Sequence, residues 1–93
     1  MDYKRIIAPP VSKALKSGRV TLAPGEDVGE HCTDNREEII IVLKGTATIL
    51  LEDDKHVVNT GETIFIPVDK KHNVKNTSDS VLTYIYTVSL FDA

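Results

Sequence analysis

The 93-residue chain carries eleven Lys and Arg against fourteen Asp and Glu, for a net charge of -3. The basic residues are scattered, which excludes a broad positive face for phosphate backbones, so nucleic acid is not an expected partner. With 41% hydrophobic and 27% charged residues, the composition is that of a soluble globular protein, not of a disordered tail or a fibre.

At this length one compact unit, residues 1–93, is expected, since two would leave too little core for each. A domain so small hides further apolar surface most readily by self-association, so a homodimer is expected. From Met1 to Pro10, a basic pair (Lys4, Arg5) precedes only Ile6, Ile7 and Ala8 before two prolines. That is far short of a secretory apolar region. Cys32 is the sole cysteine, so an intrachain disulfide is impossible, and a reducing cytoplasmic setting fits.

Val11 to Leu15 can form at most one helical turn after Pro10. Beyond it, turn signals recur at Pro24-Gly25, Lys44-Gly45, Asp53 to Lys55, Asn59 to Gly61, Pro67 to Lys71 and Asn76 to Ser80. The segments between them, including Ile39 to Leu43, Thr46 to Leu51, Thr63 to Ile66 and Val81 to Leu90, are short and rich in β-branched and aromatic residues. About eight strands are predicted, with very little helix. The longest strictly aliphatic run, Ile39 to Leu43, cannot span a bilayer, which needs about 20 apolar residues. An all-β chain of many short strands hides its edges as a sandwich or barrel.

Two stretches carry the candidate chemistry: GEDVGEHCTDNREEIIIVLKG from Gly25 to Gly45, and GETIFIPVDKKHNVKN from Gly61 to Asn76. The first resembles cupin motif 1, with Gly25, His31, Glu38 and Gly45 in register. The second resembles cupin motif 2 through Gly61, Pro67, His72 and Asn76. The resemblance implies a double-stranded β-helix, or jelly-roll barrel, over nearly the whole chain. It also implies a metal site inside the barrel built from two motif 1 histidines, the glutamate and the motif 2 histidine.

This chain departs from the pattern twice: Thr33 stands for the second motif 1 histidine, and Asp69 for the glycine of Pro-x-Gly. His31, Glu38 and His72 remain. Two imidazoles and a carboxylate suit a divalent transition metal, Fe, Mn, Ni, Co or Zn, with positions left open for water or substrate.

Alternation along a strand puts Thr33 on the same face as His31 and turns Cys32 away, so Cys32 is read as packing and not as a ligand. The same rule places Ile40 and Val42 with Glu38, and Val74 with His72, as apolar pocket walls. Tyr84 and Tyr86 share a face of the last strand and are candidates for the cavity, although tyrosines at such positions commonly only pack. Asn76 is read as capping a turn, His56 and Glu37 as exposed.

Two functions fit this set. One is a metal-dependent enzyme of the dioxygenase or isomerase type acting on a small molecule. The other is a non-catalytic module that binds a small ligand such as a sugar or metabolite. The fold alone does not choose between them.

Overall fold

The computed structural model describes residues 1–90. Nine strands follow one another: β1 (Asp2–Ile7), β2 (Leu15–Leu22), β3 (His31–Cys32), β4 (Glu38–Lys44), β5 (Thr46–Leu51), β6 (Asp54–Asn59), β7 (Thr63–Ile66), β8 (Lys71–Lys75) and β9 (Leu82–Ser89). Where the sequence allows one helical turn, Val11 lies in a turn, Ser12 to Ala14 form bends and Leu15 opens β2. No helix occurs among the described residues. None of them could therefore cross a membrane as a helix.

The strands form two antiparallel sheets, ordered β1-β2-β9-β4-β7 and β3-β8-β5-β6. The chain passes from one to the other at Gly45, between β4 and β5. There φ is +84°, and a Cβ would lie 2.5 Å from the Val81 carbonyl oxygen, so only glycine allows the corner. This two-sheet, all-antiparallel arrangement fits the double-stranded β-helix that the two motifs imply.

Burial follows the two-residue period of a strand. On β4, Glu38, Ile40 and Val42 point inward and are buried, whereas Ile39 and Leu43 stay exposed on the outer face. Leu22, Ile40, Val42, Ala47, Ile49, Ile66 and Leu82 are fully buried between the sheets. Register lines their inward positions up in rows across the five-stranded sheet. One row joins Val20, Tyr84 and Val42, and another joins Lys16, Val88, Glu38 and Ile66. The second row holds two charged residues, and the candidate site lies beside it.

Candidate functional site

The short strand β3 pairs with β8 so that His31 lies directly opposite His72. Glu38 reaches the same place from the other sheet, as the first residue of β4. The ligand-type atoms of His31, Glu38 and His72 all lie within 4.8 Å of one another. The two imidazole rings meet edge to face, with centroids 4.2 Å apart. His72 and Glu38 are buried, and His31 is exposed to the opening.

Backbone contacts orient both rings. His31 Nδ1 is 2.9 Å from the Gly29 carbonyl oxygen, and His72 Nδ1 is 3.0 Å from that of Lys70. An Nδ1–H that donates to a carbonyl leaves the lone pair on Nε2, the arrangement usual for a metal-binding imidazole. His72 Nε2 is fully buried and lies 3.4 Å from Glu38 Oε1, yet makes no well-formed hydrogen bond. A lone pair facing a carboxylate in a buried space calls for a positive charge between them, either a proton or a metal ion.

The electrostatic surroundings of His72 make the same demand. Burial pulls its pKa down, but the Glu38 carboxylate and the Lys70 carbonyl outweigh burial and hold it above the usual imidazole value. The two Nε2-presenting imidazoles and the carboxylate are the mixed N/O set that a divalent transition metal takes. The residues present therefore fit such an ion.

Beside the cluster opens a cavity of about 310 Å³ whose walls include Val20, Val28, Val74, Val88, Tyr84 and Tyr86. Burial, and then the nearby Glu38 carboxylate, pushes the Tyr84 phenol well above the usual tyrosine range. Burial and a hydrogen bond with Tyr3, at 2.6 Å between the hydroxyls, do the same for Tyr86. Both phenols are thus protonated donors at neutral pH.

Val74, Tyr84, Tyr86 and Thr33 line this cavity. Thr33 Oγ1 donates to the Arg36 carbonyl oxygen at 3.4 Å, a long contact that keeps it within its own turn. Ile40 and Val42 do not line the cavity: they are fully buried in the closed core next to it. The same face of a strand serves both the open and the closed part of the barrel, so alternation alone does not separate them. Cys32 is exposed and so does not pack, and it is neither in the cluster nor on the cavity lining. Asn76 is a buried turn cap, bonding the Leu22 and Ser80 carbonyls through Nδ2 and the Ser78 amide through Oδ1.

Among the lining residues that the sequence reading missed are Tyr3, Lys16 and Arg36. Two had a signal. Lys16 shares the two-residue period of Val20 and Leu22, and Arg36 lies two residues before Glu38. Tyr3 had none, since β1 is exposed at almost every position.

The chain belongs to the cupin family: the family model for the cupin domain matches residues 18–88. Among curated proteins, it is 31% identical over 80 residues to protein SchB of Streptomyces halstedii, covering 84% of this chain and 58% of that one. It is 27% identical over 88 residues to the polyketide synthase CurC of Streptomyces cyaneus, covering 91% of this chain and 57% of that one. The chain thus spans little more than half the length of these relatives. Among solved structures, a predicted oxalate decarboxylase from Thermotoga maritima superposes with a TM-score of 0.88 at 22% identity, over 96% of this chain and 79% of that one.

Proposed function

We propose that the chain holds a divalent transition metal, one of Fe, Mn, Ni, Co or Zn, through His31, Glu38 and His72. It then acts on a small organic molecule in the adjoining cavity, as a dioxygenase or an isomerase. The observation that carries this reading is the buried His72 Nε2, aimed at Glu38 with no well-formed hydrogen bond and within 4.8 Å of a third ligand-type residue. A bound ion of this class supplies Lewis acidity or, for a redox-active metal, a site for dioxygen.

The protein's own groups supply the rest. The Gly29 and Lys70 carbonyls fix the two rings, and Glu38 neutralises charge next to His72. Tyr84 and Tyr86 offer neutral phenol donors to the ligand, and the valine walls keep water from its apolar part. The unit is read as one domain that works as a cytoplasmic homodimer, with the exposed Ile39, Leu43 and Phe65 of the outer sheet face as apolar surface for the contact.

The second reading, a ligand-binding module without catalysis, draws support from Thr33, whose hydroxyl is turned into its own loop where the family has a fourth ligand. Elemental analysis of the purified protein, beside the His72→Ala variant, separates the two. Near-stoichiometric metal that disappears in the variant supports the metal reading. No metal in either, even after metal is supplied, favours the binding module.

A further inference from the structure

The chain has three tyrosines, Tyr3, Tyr84 and Tyr86, and all three line the cavity. Tyr84 and Tyr86 come from β9, and Tyr3 comes from the edge strand β1. Between those two strands β2 carries Gly18, where a Cβ would lie 2.6 Å from the Tyr3 ring and 2.9 Å from the Tyr86 ring. With no side chain there, the two rings stack, their centroids 6.1 Å apart and their planes 17° from parallel. Their hydroxyls meet at 2.6 Å.

This wall has hydroxyl protons to spare. The Tyr3–Tyr86 hydrogen bond uses one of the pair's two protons, and among the described residues neither hydroxyl has a further partner. Tyr84 is 3% exposed, and among the described residues no hydrogen bond reaches its hydroxyl. A phenol that deep in a protein normally has a partner, and an oxygen on the ligand would supply one. The rest of the wall makes the opposite demand. Val20, Val28, Val74 and Val88 have no side-chain hydrogen-bonding group and, with the tyrosine rings, suit a flat apolar body. A sugar would set several hydroxyls against those valines with nothing to pair them. The volume of about 310 Å³ holds roughly ten waters, which bounds the ligand to a small molecule.

We infer that the ligand of this cavity is a small aryl ketone whose carbonyl oxygen accepts a hydrogen bond from Tyr84 while its ring lies against the valines. The Tyr3–Tyr86 pair donates to a second oxygen where the ligand has one. This rests on the reading that the cavity takes a small molecule, but not on the metal.

The test is an NMR titration of protein labelled in its tyrosine rings and valine methyls, in metal-free and zinc-supplied samples with zinc content measured. The probes are acetophenone, ethylbenzene, which has the same carbon skeleton without the oxygen, and glucose. Because every tyrosine lines the cavity, the ring signals report on that wall alone. Acetophenone is expected to shift them saturably, with ethylbenzene about tenfold or more weaker and glucose without effect. Tyr84→Phe keeps the ring and removes the unpaired hydroxyl. It should leave the melting temperature unchanged or higher, weaken acetophenone about three- to tenfold and leave ethylbenzene as it was. Should Tyr84→Phe fold poorly, the preference of the parent protein for acetophenone over ethylbenzene decides. Equal binding of those two probes, no saturable shift with acetophenone, or an unaffected Tyr84→Phe variant would overturn the inference. Glucose binding in place of acetophenone would overturn it too, yet leave the small-molecule reading standing. Acetophenone binding with no zinc retained would instead sink the metal reading and leave this one standing.

Discussion

The two ends of the space between the sheets are built on one alternation rule but filled in opposite ways. At the closed end Leu22, Val42, Ile49 and Leu82 interlock with no exposed surface. At the open end the same inward positions carry Lys16, Glu38 and His72, and the space is left as a cavity. Apolar packing lowers the energy of the fold directly, whereas buried polar groups with imperfect partners raise it. The comparison indicates that stability is held at the closed end and that the open end gives some of it up to keep polar groups around a cavity.

The largest expected effect lies at the closed end. Ile49→Ala leaves a void on both sheets' shared core and should cost about 2 to 5 kcal/mol in urea unfolding. A loss similar to that of an exposed-site substitution would break the distinction between the two ends. Next comes the cluster, measured on metal-free protein. His72→Leu removes the partner of a buried carboxylate and should cost about 1 to 3 kcal/mol. The double variant Glu38→Leu/His72→Leu replaces both polar groups with apolar ones and should recover to within about 1 kcal/mol of the parent or exceed it. If the double variant is less stable than the single one, the cluster contributes stability, and the contrast drawn above is wrong.

The pH dependence of the cluster sharpens the same point. The folded pKa of His72 lies above the usual value of 6.5. Its contribution to stability is therefore fully present below that value and is lost as pH rises through the folded pKa. The metal-free protein should lose some stability as pH rises from about 6.5 through the raised pKa of His72, and Glu38→Gln should flatten that slope. Protons compete with metal for the same nitrogen, so metal retention should run the other way, falling as pH drops below the raised pKa. Chemical denaturation and metal content across one pH series check both signs.

Much of this was legible in the sequence, and the residues show why. The spacings from Gly25 to Gly45 and from Gly61 to Asn76 place His31, Glu38 and His72 near one another, because each motif fixes a ligand at a set distance from a turn. The strand at β4 was evident from its aliphatic run, but that run is apolar on both faces, so it could not tell Ile40 and Val42 in the closed core from a pocket wall. β1 went unrecognised because DYKRII has no alternation and only its last residue is partly buried. Its Tyr3 reaches the cavity by stacking on Tyr86 across β2, a contact between distant parts of the chain that no local pattern encodes. Gly18 permits that stacking, since a Cβ there would lie 2.6 Å from Tyr3 Cε2. Gly18→Ala should therefore cost about 1 to 3 kcal/mol or swing Tyr3 outward, which the Tyr3 ring signals in NMR would show.

The smallest expected effect concerns Asp69, where the family pattern has glycine. Its φ is +59°, in the left-handed region that aspartate tolerates better than most residues. Its carboxylate accepts a 2.8 Å hydrogen bond from the Asn35 amide. That bond ties the loop before β8 to the loop carrying Thr33 and Arg36, so the same side chain that strains one turn braces another. Asp69→Gly relieves the strain and loses the bond, two contributions of opposite sign that should leave stability within about 1 kcal/mol of the parent. The 33–36 loop loses its anchor all the same, and amide exchange there should quicken. Unchanged exchange in that loop would mean that Asp69 merely occupies a turn, and that the open end is braced by its strands alone.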